Sequence, residues 1–382
     1  MSNVGSQGSP PVINIFGIVH QHGGCGTEAL GAIELIRSKG VAVLCIVPPD
    51  DEIITGSAAD FLRSTGVAIV NYAPGIFKKC DILISFAEGQ SLFPLIEKYD
   101  DRPRFILYSD CMHYATDDEA GWHKRNLIDA FFFQTRALAD RLGPEIVRKA
   151  KKSMTVRHGY RAFINTHSDY FPLRFRIERD DKLFTAIKVT RDDAEKWHLD
   201  TWRMFCGISA PANRKVQIEV VGWGDNAQEK IGALDGGPWD KQINAQINSH
   251  VHDPKEMAAL YGRAHVLIHV CDYEWEDALG RVMLEAMVAG TVVIADNRGG
   301  AKELIRHGET GFLVDSPDEA SFYASKLAFD DGLRRSIAAQ AYVELTTLGH
   351  GNADVCWKWW QDLLNSKHGV QTASAAASAP RE

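Results

Sequence analysis

Residues 274–314 read EWEDALGRVMLEAMVAGTVVIADNRGGAKELIRHGETGFLV, and signals for a helix, a strand and a tight turn follow one another within them. Residues 280–289 contain a run of helix formers, and Gly290 stands where a glycine commonly ends a helix. Residues 291–295 form a β-branched run typical of a strand buried on both faces. This alternation predicts an α/β domain with a parallel sheet.

A glycine pair in the same stretch indicates an anion site. Gly299 and Gly300 precede a second helix, predicted through residues 302–305. The first N–H groups of a helix have no partner within it, its dipole is positive there, and glycine lets an anion approach closely. Asp277, in the loop before the first helix, adds a carboxylate that can hold hydroxyl groups.

Apolar strand-like runs recur along the chain in two series. The first series comprises residues 12–19, 41–47, 67–70, 82–86, 105–108 and 130–133. The second comprises residues 184–189, 216–221, 265–270 and 291–295. The polar stretch FPLRFRIERDD separates them and predicts a boundary near residues 172–182. We therefore expect two Rossmann-like doubly wound domains, with the carboxyl ends of their strands facing a central cleft.

Composition limits the class of protein. The chain has 382 residues, 45% of them hydrophobic and 24% charged, which is ordinary for a globular protein of about two domains. A formal net charge of −8 argues against a general nucleic-acid coat. Seven scattered cysteines without a CxxC pair favour a reducing, cytoplasmic setting. The sequence shows neither an export signal nor a transmembrane segment, so we expect a cytoplasmic protein.

The N-terminal glycine loop, HQHGGCGTE, permits a rival hypothesis. Gly24, Gly26 and Ala29 fit GxGxxA after a strand, and Asp50 and Asp51 end the next strand as a dinucleotide-binding acid would. An oxidoreductase of this kind would leave the second half of the chain unexplained.

The histidines do not predict a metal site. His265 and His269 have HxxxH spacing, but they lie in a predicted strand, where positions four apart are roughly 13 Å from one another. His20 and His22 flank the glycine loop and are expected to contact substrate or fix the loop.

Two acids eight positions apart, Asp277 and Glu285, followed by a GGxxE motif and HGETGFLV, make up the most specific pattern. It resembles the C-terminal half of retaining GT-B glycosyltransferases of the family-four type. That family usually has glutamate at the first position, so Asp277 is a departure, and Glu276 beside it is a possible substitute. The resemblance implies a GT-B fold and an enzyme, a hexosyltransferase that needs no metal and no bound cofactor. Its donor would be a nucleoside-diphosphate sugar, UDP-sugar in the first instance, transferred to an acceptor hydroxyl with retained configuration.

Positive charge for the donor comes from Arg191 and Lys196, which follow the strand at residues 184–189. Such cations stabilise a departing diphosphate. The resemblance gives Asp277 a catalytic place as well, and His113 and Asp110, just past a strand end, are two further candidates. The donor-binding residues that it implies are Gly23, Gly24, Gly222, Glu276, Glu285, Gly299, Gly300 and Glu303. Thr27 and Glu28 are expected to cap the first helix.

These patterns divide the chain into five segments. Residues 1–11 are a flexible N-terminus, 12–175 an acceptor domain and 180–350 a nucleotide-sugar domain. Residues 351–366 contain the amphipathic VCWKWWQDLL, expected to pack back on the N-terminal domain, and 367–382 form a disordered tail.

The acceptor is left open between a glycan, a lipid-linked molecule and others. Residues 136–176 carry ten Lys or Arg against three acids, with aromatic residues interleaved. Lys149, Lys151, Lys152 and Arg157 are the candidate surface for an anionic acceptor such as DNA, an acidic glycan or a phospholipid surface. Two alternative functions follow: a glucosyltransferase acting on hydroxymethylated bases of phage-type DNA, which would flip its base, and a non-catalytic protein that binds nucleotide-sugar or nucleic acid.

Overall fold

The computed structural model has a two-part architecture. It describes residues 12–17, 24–49, 57–110, 116–234, 245–248, 253–347 and 349–365. The contacts between Cα atoms divide the chain into two compact units. The first contains Cys25–Tyr160 together with the strand before them and the chain from Cys356 onward, and the second contains Arg161–Val355.

A seven-stranded parallel sheet forms the centre of the first unit. Its strands are β1 (Ile13–Phe16), β2 (Val43–Val47), β3 (Ala68–Asn71), β4 (Ile82–Phe86), β5 (Ile106–Asp110), β6 (Ala130–Phe133) and β7 (Val156–Arg157). Its helices are α1 (Gly24–Ser38), α2 (Ser57–Ser64), α3 (Gly89–Tyr99), α4 (Thr116–Lys124) and α5 (Arg136–Ala150). The strand order is β3-β2-β1-β4-β5-β6-β7, which is a doubly wound sheet with its reversal between β1 and β4.

The second unit repeats this plan with six parallel strands. They are β8 (Leu183–Val189), β9 (Lys215–Val221), β10 (Ala245–Asn248), β11 (Val266–His269), β12 (Val292–Asp296) and β13 (Phe312–Val314). The helices are α6 (Thr201–Cys206), α7 (Asp225–Ile231), α8 (Pro254–Arg263), α9 (Arg281–Ala289), α10 (Ala301–Leu304), α11 (Pro317–Phe329) and α12 (Asp331–Thr347). The order β10-β9-β8-β11-β12-β13 places the reversal between β8 and β11.

The predicted fold class is confirmed, because both sheets are parallel and helices alternate with their strands. β11 and, up to Ala295, β12 are buried, as their apolar runs predict for strands covered on both faces. Gly290, at φ +81°, ends α9 in the left-handed conformation that glycine adopts without strain.

The C-terminal tryptophans lie on the last helix, α13 (Ala353–Asn365). Trp359 donates its indole N–H to the His158 carbonyl at 3.0 Å and packs against Tyr160 and Phe132 of the first unit. Trp360 is buried beside the same tyrosine. These contacts give the turn at His158 and the aromatic end of the chain a structural role.

Two local predictions were wrong. Thr27 and Glu28 do not cap α1, because the helix already begins at Gly24, and Glu28 is buried against Gln134. The helix predicted through residues 302–305 is a single turn, since Ile305 is already extended. His20, His22, Gly23, Asp50, Asp51 and His113 lie outside the described residues, as do residues 1–11 and 367–382. No helix within the described ranges has the length and apolar character needed to cross a membrane.

Candidate functional site

Polar side chains gather at the strand reversal of the second unit. Lys196 lies in a short 3-10 turn that follows β8, and Asp277 lies in the loop that follows β11. The carboxyl ends of these neighbouring parallel strands meet at one edge of the sheet, where doubly wound folds bind their ligands. The topology therefore joins two residues that are 81 positions apart in sequence.

Asp277 is the centre of this cluster. Its Oδ1 accepts hydrogen bonds from the Lys196 ammonium at 2.9 Å and from the Trp275 indole N–H at 3.0 Å. Its Oδ2 lies 2.5 Å from His269 Nε2. The Lys196 ammonium also lies 5.2 Å from the centre of the Trp275 ring, a cation–π distance. Both carboxylate oxygens therefore have partners.

The two cations decide the charge of this acid. Burial raises the pKa of Asp277, but Lys196 and His269 outweigh burial and hold that pKa well below its ordinary value. Burial likewise lowers the pKa of His269, whereas Cys271 and the bond to Asp277 raise it, to about 9. Asp277 is therefore an ionised carboxylate held between two positive groups.

The loop that carries Asp277 is fixed by Arg298. This guanidinium donates to the carbonyls of Cys271, Asp272 and Tyr273, the last two at 2.6 and 2.5 Å. It also forms an ion pair of 3.1 Å with Asp296 at the end of β12. Through Arg298, the Asp277 loop is therefore held against the end of β12.

A buried lysine lies on the central strand next to this loop. Lys188 of β8 is fully buried, and its ammonium donates to the Val270 carbonyl at 2.8 Å. Burial lowers the pKa of Lys188. The contact ties the start of the Asp277 loop to the sheet.

The glycine pair packs against the same loop. A Cβ atom on Gly299 would lie 2.6 Å from the Asp277 carbonyl oxygen, and one on Gly300 would lie 2.2 Å from that of Ala278. The Gly300 N–H donates to the Asp277 carbonyl at 3.0 Å, so this amide already has a partner. The N–H of Glu303 also has a partner, because it donates to the Gly300 carbonyl at 3.1 Å. The pair thus shapes the acid loop by close packing.

Glu285 faces a different neighbour. It is buried on α9, where it accepts a 2.9 Å hydrogen bond from the Tyr261 hydroxyl and lies 3.7 Å from Arg281. Burial raises the pKa of Glu285 to about 7, although Arg281 and the Tyr261 bond oppose the rise. The second acid of the pattern is therefore partly protonated at neutral pH and is not bonded to Asp277.

The raised pKa of Glu285 predicts a stability change with pH. Folding disfavours its ionised form, so the free energy of unfolding should fall as pH rises from 4.5, the ordinary value, to about 7. Glu285→Gln keeps an acceptor for Tyr261 without ionising, so urea unfolding of this variant should lack that component. Wild type and variant curves that stay parallel between these pH values would contradict the assignment.

Arg191 does not join Lys196 at the acid. Its guanidinium is about half exposed and forms a 2.8 Å ion pair with Asp193. Gly222, at φ +85°, lies beside this segment, and a Cβ atom there would be 1.7 Å from the Thr190 carbonyl oxygen. The absence of a side chain at Gly222 therefore lets the backbone after β9 pack directly against the turn after β8.

The other predicted residues all precede residue 161 in the sequence. Gly24 begins α1, and a Cβ atom there would meet nothing within 4 Å. Asp110 is the last residue of β5. The basic residues predicted to bind an anionic acceptor are Lys149, Lys151, Lys152 and Arg157. Of these, Lys149 lies 2.9 Å from both Asp117 and Glu145, and Lys152 bonds Asn126 at 2.7 Å. Lys151 is exposed, and Arg157 is half-buried in β7.

Three of the cluster's side chains have metal-ligand chemistry. One donor atom each of His269, Cys271 and Asp277 lies within 4.8 Å of the others. Imidazole, thiolate and carboxylate together suit zinc. The Lys196 ammonium on the same carboxylate opposes a divalent cation electrostatically. A small cavity beside them is lined by His269, Cys271, Trp275, Glu276, Asp277, Met283, Asp296, Arg298 and Ala301.

The sequence interpretation missed several members of this cluster, namely Lys188, Tyr261, His269, Trp275 and Arg298. For His269 a signal existed, because it is the last residue of a strand next to the sheet reversal, where side chains reach ligand sites. Lys188 was also detectable, as a single charge within the apolar run of β8.

Comparison with known proteins finds similarity within the second unit. Residues 170–343 match the family model described as glycosyl transferases group 1. Putative glycosyltransferase YtcC of Bacillus subtilis is 42% identical over 66 residues, which cover 17% of this chain and 16% of YtcC. D-inositol 3-phosphate glycosyltransferase of Corynebacterium efficiens is 40% identical over 93 residues, 24% of this chain and 21% of that protein. The matches thus span about a fifth or less of these relatives.

The fold similarity extends over most of the chain. The crystal structure of Anabaena HepE in complex with UDP-glucose is similar with a TM-score of 0.68 at 14% identity. The match covers 92% of this chain and 99% of HepE. Together with the two parallel sheets, this similarity gives the chain the GT-B fold.

Proposed function

We propose that this chain, a GT-B protein whose residues 170–343 match the family model described as glycosyl transferases group 1, transfers a sugar from a nucleoside diphosphate to an acceptor hydroxyl. The observation that carries the proposal is the pairing of Lys196 with Asp277 at the strand reversal of the second unit. A cation and an acid at this place fit the donor site that the resemblance to family-four-type GT-B glycosyltransferases implies.

Lys196 has the main role in our proposal. As the bond between the sugar and the diphosphate breaks, negative charge grows on the leaving phosphate, and a fixed ammonium stabilises it. Arg191, half exposed on the same turn, can leave Asp193 to bind the diphosphate in a bidentate way. Two such cations supply positive charge without a metal, so we propose a metal-independent reaction.

For the donor we propose a UDP-sugar and a retaining course. Support for UDP comes from HepE, which binds UDP-glucose. In the retaining course the acceptor oxygen attacks the anomeric carbon on the same face from which the diphosphate leaves. A phosphate oxygen of the leaving diphosphate takes the proton of the acceptor hydroxyl. Glu285 would hold the ribose hydroxyls, and Glu276, Gly222 and the pair Gly299-Gly300 would line the donor pocket.

The comparisons do not favour the two alternative functions. The family model and the two relatives named above are all described as glycosyltransferases. The DNA alternative also depended on a basic surface, and Lys149 and Lys152 are engaged within the first unit. An acceptor of the glycan or lipid-linked type therefore remains our proposal.

The test incubates purified protein with UDP-, GDP- and ADP-sugars and a panel of acceptors. We expect turnover of a UDP-sugar in the presence of EDTA, and NMR of the product should show the anomeric configuration of the donor. Inverted product would contradict the retaining course, activity that EDTA abolishes would contradict metal independence, and absence of both transfer and donor hydrolysis would contradict the function.

A further inference from the structure

The acid of the proposed donor site has a histidine partner at the end of β11. His269 is the last residue of β11, and its side chain is 6% exposed. The ring's Nε2 lies 2.5 Å from Asp277 Oδ2 and 4.0 Å from Cys271 Sγ. Its Nδ1 is buried and has no hydrogen-bond partner among the described residues. The strongest contact of this ring is therefore the one to Asp277.

The backbones of the two partners are held in different ways. β11 is paired in register with β12, where His269 lies opposite Ala295, so the backbone of His269 is fixed by the sheet. Asp277 lies in the loop between residues 270 and 280, which has no regular structure. A residue on a strand can hold a residue on a loop within the narrow geometry that catalysis needs.

Burying the polar His269 imidazole costs free energy of folding, so a role beyond filling space is needed to explain it. A buried polar atom without a partner destabilises the fold by about 1–3 kcal/mol, and an apolar side chain would avoid that cost. The ring offsets it by donating to an ionised carboxylate, a charge-assisted hydrogen bond of the stronger kind.

We propose that His269 is a positioning residue that, with Lys196, fixes both oxygens of Asp277, so that this site requires aspartate rather than the longer glutamate. The inference rests on the proposed glycosyl transfer. Each oxygen of Asp277 is already within 2.5 to 3.0 Å of its partners. An additional methylene would move the carboxylate into the His269 ring or past Lys196, and the ammonium would lose its orientation.

A pair of amide variants tests the hydrogen bond. The glutamine side chain places its amide N–H close to where imidazole Nε2 lies, whereas asparagine reaches only to the position of Nδ1. His269→Gln should therefore keep kcat within about tenfold of wild type, and His269→Asn should lower kcat by about 100-fold with little change in KM. Equal kcat values for the two variants at equal melting temperatures would overturn the proposal.

The side-chain length is tested by Asp277→Glu. We expect kcat to fall by about 100-fold, because the acid no longer fits between its partners. Wild-type or higher activity in Asp277→Glu would overturn the length match. Lys255→Ala, an exposed site on α8, serves as the control for mutagenesis and purification.

A spectroscopic measurement separates this inference from the proposed function. Histidine-selective NMR of the full chain should show a downfield Nε2–H signal that disappears in His269→Gln and shifts or disappears in Asp277→Ala. A His269 signal that is unchanged in Asp277→Ala would overturn the positioning contact, whether or not the protein transfers sugar. Absence of turnover in wild type with this NMR signature present would refute only the function.

Discussion

We expect replacement of Lys196 with alanine to lower kcat/KM for the proposed sugar transfer by about 1,000-fold, because its ammonium would stabilise the leaving phosphate. The reason is that the Lys196 ammonium lies on the acid itself, 2.9 Å from Asp277, and its side chain is only 14% exposed. Its removal leaves Asp277 with less opposing charge, so both the leaving phosphate and the acid lose stabilisation. Steady-state kinetics with a saturating acceptor measures the loss.

Two further variants sharpen this prediction. Lys196→Arg keeps the charge but not the compact geometry, so it should recover only a small part of the activity. Lys255→Ala should behave as wild type. Lys196→Ala with activity within tenfold of wild type, and with unchanged melting temperature, would contradict the proposed role.

Gly222→Ala should lower the free energy of unfolding of the second unit by about 3 kcal/mol or more. Two effects add at this position. The backbone has φ +85°, which strains any residue with a Cβ, and that Cβ would lie 1.7 Å from the Thr190 carbonyl oxygen. Backbone oxygen cannot rotate away as a side chain can, so the turn after β8 must move.

Gly308 provides the matched comparison for Gly222. It has φ +80° in the same unit, but a Cβ atom there meets nothing within 4 Å. Gly308→Ala should therefore show the conformational strain alone, about 1–3 kcal/mol. Urea unfolding of both variants measures the difference, and equal losses would show that the close approach to Thr190 contributes nothing.

Regular structure was predictable where local pattern and burial agree. Residues 82–86 and 130–133 are strands with the predicted bounds, because a short apolar run bounded by polar residues has few other stable solutions. Gly290 ends α9 as expected. The edge strands β7 and β10 were not predicted, since edge positions bury less apolar side-chain surface and leave a weaker pattern.

The site was predictable as a place but not in its contacts. Topology brings residues after β8 and β11 together, which is why Lys196 and Asp277 could be grouped from sequence. The Gly300 amide bonds the Asp277 carbonyl, and Glu285 bonds Tyr261, 24 positions away. Such partners depend on how loops pack, and single-sequence periodicity carries no information on contacts of this kind.

The central claim is that the second unit holds a nucleoside diphosphate at Lys196 and Asp277. Isothermal titration calorimetry of UDP into wild type and Lys196→Ala, at low salt and with EDTA, tests it most directly. We predict one binding site for UDP in wild type and an affinity at least about tenfold weaker in Lys196→Ala. This loss is expected when the charge-assisted hydrogen bond from a partly buried ammonium to a phosphate is removed. Equal affinities in the two proteins, or no binding of UDP, GDP or ADP by wild type, would contradict the claim.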